Sequence, residues 1–381
     1  MKVAIDVRRV SDFGVGTYIR NVVRTLGRLD RNNQYFLISS TERVSEFGDL
    51  PDNFRTVVFT PTKSTVRTYL DYHNALKTYR FDLLHIPQMF WRPVPFSCPY
   101  VMTVHDLLDY MYRTRTTTSF GRFVHFHMTR RVIQGAARLF AVSNFTKQDI
   151  TRFFRIPPEK IEVVYNALDE SFQLGHTTAD ERETIVERYQ VNYPFLLYAG
   201  RISPHKNVVR IIEAFSALKS ELAKENKYED LKLIIIGDEV SKHPDIRRAV
   251  IKSGVQNDVR FLGFVSIDIL RIFYDTAKVF VFPSLYEGFG LPPLEAMAHG
   301  TPVVTSNTAA LPEVVGKAAI QVNPENVFEI SRAMHRALVD QPLRERMKIA
   351  GKEQAARFSW ETSVRQIIRV YEEVVASKRK K

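Results

Sequence analysis

Two consecutive α/β domains, each a parallel sheet wrapped in helices, are predicted by three features of the sequence. Short apolar runs alternate with helix-period stretches along nearly the whole chain. The runs are rich in Val, Ile, Leu and Phe and lack the in–out alternation of a half-exposed strand, as expected of strands buried on both faces. The length, 381 residues, is long for one domain and comfortable for two.

The strands are expected at residues 3–7, 35–38, 82–86, 100–104, 139–142 and 162–164, then at 195–199, 232–236, 259–261, 279–282, 302–305 and 319–322. Helical stretches between them imply βαβ units and two Rossmann-like parallel sheets. After the strand at 162–164 the chain turns polar before a helix at 179–189 leads into the next strand. The domains are therefore expected at 1–168 and 169–358. From residue 359 a stripe of Val364, Ile367, Ile368, Tyr371 and Val375 marks a terminal helix, 359–377, with one apolar face. Such a face must dock, and packing back on the first domain is the expectation. The basic tail at 378–381 is read as solvated.

Composition narrows the class. A hydrophobic share of 45% with mixed charges describes an ordinary globular chain. One cysteine, Cys98, allows no disulfide within the chain and fits a reducing compartment. The opening residues read as a strand rather than a signal peptide, and no run approaches the roughly twenty apolar residues of a membrane span. A cytoplasmic location is expected. The formal net charge of +12 asks for an anionic partner: nucleic acid, an anionic membrane surface, or a phosphorylated small molecule. With no zinc-finger spacing, no RNA-binding aromatic signature and basic residues read as scattered, no nucleic-acid partner is expected.

The most informative stretch is 284–304. It follows a buried strand, places Pro292 and Pro293 where a helix would open and Gly300 where it would end. Gly288, Phe289, Gly290 and Leu291 then form a tight loop at a helix N-terminus, where backbone N–H groups and the positive dipole end attract an anion. Glu287 precedes the loop and Glu295 lies about one turn into the helix. Two carboxylates would repel a phosphate, but they suit sugar hydroxyls, from which they accept hydrogen bonds. The bland alternative is a capped helix with one structural Glu.

The Glu-x7-Glu spacing, the Gly-Thr-Pro-Val-Val run from Gly300 and the Leu-Pro-Glu-Val run from Leu311 resemble the retaining glycosyltransferases of family 4, which have the GT-B fold. The resemblance covers nearly the whole chain and implies two facing Rossmann-like domains with a cleft between them. It implies that Glu287 contacts the transferred sugar and that Glu295 holds the donor ribose. The Gly-Arg…Lys motif of the family matches Gly200, Arg201 and Lys206, which follow a strand end where ligands of parallel sheets gather. Fixed cations there would stabilise the departing nucleoside diphosphate. Many sugar transferases use a divalent metal on an Asp-x-Asp motif for that task. The chain contains no Asp-x-Asp, so no cofactor and no divalent metal are expected.

Further expectations follow from the same resemblance. Gly14 and Gly16, in the first βα turn, are not a full G-x-G-x-x-G, since Ile19 replaces the last glycine; they are assigned to the loop near the diphosphate and acceptor. His105, at a strand end beside Asp106, is placed near the donor sugar, although a lone His is more often structural. Gly237, with Asp238, ends a donor-side strand, and Phe264 and Val265 are placed at the base. Ser143 reads as a helix cap and Asn166 as turn chemistry. The expected reaction is hexose transfer from a nucleotide-sugar, with GDP-mannose ahead of UDP-glucose or a deoxysugar donor, to a glycan or lipid-linked saccharide acceptor. A sugar epimerase and an α-glucan phosphorylase are disfavoured by the Glu-x7-Glu and by the missing pyridoxal-phosphate lysine context. Residues 119–133 mix bulky apolar and basic residues at helical spacing. The segment either lies on an anionic membrane or buries its Phe and Val while Arg faces solvent, and the sequence leaves both readings open.

Overall fold

The computed structural model describes residues 1–381 except 13, 41–44, 60–71, 73, 75, 90–96, 112–117, 174–177, 238–239 and 380–381. The chain divides into two compact units, Met1–Asn166 together with Ser359–Lys381, and Ala167–Phe358.

Among the described residues the first unit builds a seven-stranded parallel sheet. Its strands are β1 (Lys2–Asp6), β2 (Gln34–Ser39), β3 (Phe54–Val58), β4 (Leu83–Ile86), β5 (Tyr100–Val104), β6 (Arg138–Ala141) and β7 (Ile161–Val163), ordered β3-β2-β1-β4-β5-β6-β7. The order reverses between β1 and β4, which pair from Val3 with Leu83 to Ile5 with His85. The central strands are apolar and buried throughout: Val3, Ala4, Leu83, Leu84, Val101 and Met102 lose essentially all their solvent contact. The edge strand β3 is the element that sequence periodicity misses. It is half polar (Phe-Arg-Thr-Val-Val), and only Val57 of its five residues is buried. The terminal helix Trp360–Arg379 packs on the helix Val15–Leu29 and on β4. Val364, Ile367, Tyr371 and Val375 are buried there, while Ile368 is half-buried.

The second unit repeats the plan with six strands, again among the described residues. They are β8 (Phe195–Ala199), β9 (Lys232–Ile236), β10 (Val259–Gly263), β11 (Val279–Phe282), β12 (Val303–Ser306) and β13 (Ile320–Val322), ordered β10-β9-β8-β11-β12-β13. Among the described residues every strand pairing in both sheets runs parallel, from β8 beside β9 to β12 beside β13. Here the reversal falls between β8 and β11, which pair through Val279 with Leu196 and Phe280 with Leu197. Loops leaving the carboxyl ends of the two strands at such a reversal diverge to opposite faces and leave a crevice for a ligand. In the second unit those loops carry Arg201 and Lys206 after β8 and Glu287 to Leu291 after β11.

Candidate functional site

Beside the β8 and β11 loops, three glycines close the carboxyl edge of the second sheet. The Gly200 N–H donates to Ile236 O at 3.0 Å and the Gly237 N–H to Gly263 O at 3.0 Å. A Cβ on Gly237 would stand 2.2 Å from Gly200 O, so any side chain there would force the two backbones apart. Bare backbone at this edge is what a phosphate-bearing ligand needs for close approach. Asp238, expected beside Gly237, lies outside the described residues.

The loops after β8 and β11 are stitched together through main chain. His205 O accepts from the Leu285 N–H at 2.7 Å and from Ser284 Oγ at 3.0 Å. Asn207 adopts a left-handed conformation, and its Nδ2 donates to Pro283 O at 2.9 Å and to Pro324 O at 2.7 Å. This buried asparagine escaped the sequence reading. Its signal was available, since Asn is one of the few residues that tolerate positive φ.

The stitching brings two predicted residues into direct contact. Lys206 Nζ donates to Glu287 Oε1 at 2.6 Å, with side-chain exposures of 15% and 12%. The same ammonium lies 5.0 Å from the Phe282 ring centroid, a second source of cation stabilisation. An ammonium has three donors, so one bond to Glu287 leaves two for a ligand. Arg201 is exposed at the mouth of the β8 loop, and its carbonyl accepts from Tyr198 Oη at 3.0 Å.

Gly290 caps the helix Leu291–Ala298 with φ 112°, a conformation that side-chain-bearing residues rarely adopt. Prolines occupy the second and third helical positions. They preorganise the first turn but remove two of its N–H groups. Of the N–H groups that a helix start leaves unpaired, an anion here would therefore meet chiefly those of Gly290 and Leu291.

Glu295 sits one turn further on, half-buried, and accepts from Tyr274 Oη at 3.0 Å. Burial pushes its carboxyl up to about 7, against a smaller lowering by the Tyr274 hydroxyl and a smaller raising by Asp169. Tyr274, on the helix Ile267–Thr276, was not anticipated, because nothing in its sequence neighbourhood distinguishes it from an ordinary core tyrosine. A carboxyl with a raised pKa binds a proton in the folded chain that it would release on unfolding. Its contribution to stability is thus full below its ordinary 4.5 and is lost as pH rises through about 7. The wild type should therefore lose stability from pH 5 to 8 more steeply than Glu295→Gln, measured by urea denaturation at each pH; parallel profiles would reject the assignment.

Phe264 follows β10 with 75% of its surface exposed, whereas Val265 is buried. The ring thus stands largely exposed at the carboxyl edge of the sheet.

In the first unit Gly14 caps the helix Val15–Leu29 and Gly16 lies in its first turn, its N–H donating to Asp12 O at 2.9 Å. His105 stands just past the end of β5, and its Nε2 is 2.9 Å from Pro87 O. That carbonyl only accepts, so Nε2 carries the proton. Burial lowers the ring's pKa, offset in part by the Pro87 bond and Asp106, and a neutral ring leaves Nδ1 as an acceptor. Tyr18 packs edge-on against it at 4.9 Å. Tyr18 is in turn held by a buried chain running from its hydroxyl to Thr103 (3.1 Å), His85 (2.9 Å) and Tyr371 (2.6 Å). Ser143 caps the helix Asn144–Phe154 by accepting from the Thr146 N–H at 3.0 Å.

Among the described residues, one trio of possible metal ligands comes together: Glu221, Glu225 and His335. It lies near the C-terminal ends of the helices Val208–Lys224 and Val327–Val339, hence at the sheet edge opposite Lys206 and Glu287.

Two Rossmann-like units, the second with glycines, cations and carboxylates gathered at its strand reversal, define a GT-B architecture. Residues 14–172 match the family model described as Glycosyltransferase Family 4, and residues 181–354 match that of Glycosyl transferases group 1. The chain belongs to the family 4 glycosyltransferases. It is 32% identical over 266 residues to the serotype-specific mannosyltransferase WbdA of Escherichia coli, a match covering 68% of this chain and 32% of WbdA. The chain thus spans about a third of the length of that relative. It is 27% identical to the MMP alpha-(1->4)-mannosyltransferase of Mycolicibacterium hassiacum over 95% of both chains. Its fold superimposes on sucrose-phosphate synthase from Thermosynechococcus elongatus with a TM-score of 0.76, at 18% identity over 99% of this chain and 100% of the other. On HepE from Anabaena, solved with UDP and glucose, the TM-score is 0.75, at 16% identity over 98% and 100% of the two chains.

Proposed function

We propose that the chain transfers a hexose, with mannose from GDP-mannose as the leading donor, to a glycan or lipid-linked saccharide, retaining anomeric configuration and needing no divalent metal. The Lys206–Glu287 pair at the strand reversal carries this reading: it sets a cation for phosphate and a carboxylate for sugar hydroxyls at one point. The relatives named as mannosyltransferases support the choice of sugar.

In this mechanism the second unit holds the donor. Phe264 and the Val265 backbone take the base, Glu295 the ribose, and Arg201, Lys206, Gly237 and the amides of Gly288 to Leu291 the diphosphate. Glu287 accepts from hydroxyls of the transferred sugar. His105 is assigned one more, which its neutral ring accepts at Nδ1. The acceptor oxygen bonds to the anomeric carbon on the face that the diphosphate leaves. Its proton passes to a departing phosphate oxygen, so no protein nucleophile is needed. The charge released onto the diphosphate meets cations already in place, which lowers the barrier.

Melting the full chain with GDP, UDP and dTDP tests the donor. A nucleotide at a hundredfold excess over its Kd stabilises by about 2.7 kcal/mol, so GDP should raise the Tm and the others raise it less. A larger shift with UDP or dTDP would displace mannose as the sugar. No shift with any of the three would remove the donor site itself.

A further inference from the structure

We propose that Ser306 and Asn207 are positioning residues for sugar transfer: their side chains fix the main chain that carries Glu287, and so aim its carboxylate. The inference deepens the reading above and rests on its assignment of Glu287 to the sugar.

The pairing of β11 with β12 ends where Phe282 stands beside Thr305. Pro283, next in the chain, has no N–H with which to continue the ladder. Side chains take over where the ladder stops. Thr305 Oγ1 donates to Phe282 O at 2.8 Å, Asn207 Nδ2 to Pro283 O at 2.9 Å, and Ser306 Oγ to Ser284 O at 2.6 Å. Three successive carbonyls leading to Glu287 thus receive donors from three side chains, none more than 4% exposed. Beyond them, Glu287 O accepts from the Ala310 N–H at 3.3 Å.

Loop carbonyls at a strand end are ordinarily served by water. Burying hydroxyls and an amide to serve them costs desolvation that apolar side chains would avoid, and the result is a main chain held on both sides. Ser306 ends β12 and Asn207 follows β8, the two strands that flank β11 in the sheet. The Asn207 amide is itself fixed, since Nδ2 also donates to Pro324 O at 2.7 Å and Oδ1 accepts from Arg210 Nη1 at 2.9 Å. The far end of the loop is braced as well. A Cβ on Gly290 would stand 2.6 Å from Leu311 Cδ2, so the loop lies close against the helix Leu311–Val315. Glu287 therefore sits between a clamped stretch at 282–284 and a close-packed one at 290. Such rigidity matters to a polar group that acts by aim, because a misplacement of about 1 Å can cost about a hundredfold in rate.

Calorimetric titration of the full chain with GDP and with GDP-mannose tests the role (or with UDP and UDP-glucose, should UDP be the nucleotide that raises the Tm). Glu287 is assigned to the sugar and not to the nucleotide, so the ratio of the two affinities reads its contact. Glu287→Ala should lower the ratio of sugar-nucleotide to nucleotide affinity about tenfold, the effect of one hydrogen bond to a charged group. Ser306→Ala, which loses only a hydroxyl, should lower it about three- to tenfold while GDP binds within about twofold of wild type. Asn207→Gly keeps the left-handed backbone and removes the amide. It should lower the ratio likewise, and it carries the test if Ser306→Ala is too unstable to titrate. Added to Glu287→Ala, Ser306→Ala should lower the ratio no further, because both act at one contact. A wild-type ratio in the folded Ser306 and Asn207 variants, with the ratio lowered in Glu287→Ala, would overturn the positioning role and leave the assignment of Glu287 standing. An unchanged ratio in Glu287→Ala would remove that assignment and the inference with it. A further fall in the double variant, or equal losses for GDP and GDP-mannose, would reduce Ser306 to a structural residue.

Discussion

Glu287→Ala is expected to lower turnover about a hundred- to a thousandfold, the range for losing one well-aimed polar contact to a transition state. The effect on stability should be much smaller. The carboxylate is partnered by Lys206 at 2.6 Å, so its removal leaves an ammonium without its counter-ion. Both side chains keep more than a tenth of their surface in water, and the Phe282 ring still lies near the ammonium. The penalty should therefore fall below the several kcal/mol of a fully buried broken pair. Glu287→Gln keeps the shape and an acceptor oxygen while removing charge, and should recover most of the stability but little of the turnover. Initial rates with saturating donor, set beside urea melts of the same preparations, check both halves. An active variant of wild-type stability would exclude Glu287 from sugar contact.

How the sheets were legible, and where they were not, follows from burial. A strand covered on both faces is apolar at every position, and such runs stand out in sequence: 100–104, 195–199, 232–236 and 279–282 match β5, β8, β9 and β11 residue for residue. The edge strand β3 has one neighbour and one buried side chain, so its Arg55 and Thr56 erase the pattern. Glycine and proline spacing around residues 284–300 was equally legible, because backbone conformations such as that of Gly290 admit few residue types. What the sequence could not supply was partnership. Lys206 and Glu287 are 81 residues apart and meet only because β8 pairs with β11. Tyr274 beneath Glu295, and the Tyr18–Thr103–His85–Tyr371 chain behind His105, join segments whose proximity is a property of topology alone. The two prolines at the helix Leu291–Ala298 were read correctly as a helix start, yet their cost in N–H donors emerges only once each is placed in the first turn.

Chelation should leave transfer nearly unchanged: with excess EDTA, initial rates are expected to stay within about twofold of those with magnesium, whereas Arg201→Ala should lose about a hundredfold or more. The two results belong together. If the charge on the departing diphosphate is met by side chains, removing a side chain is severe and removing a metal is not. Arg201 is exposed, and a urea melt of the variant beside its initial rates separates a loss of ligand contact from a loss of fold. Lys206→Ala is a less clean test, since it also strips Glu287 of its partner. Its effect and that of Glu287→Ala should be far from additive in a double-mutant cycle, because each single change disrupts the same pair. Lys206→Arg keeps the charge but replaces a compact ammonium with a planar fork, and should restore stability more fully than turnover. Transfer abolished by EDTA and restored by magnesium, with Arg201→Ala near wild type, would assign the diphosphate to a metal and end the proposal that these two residues carry the charge.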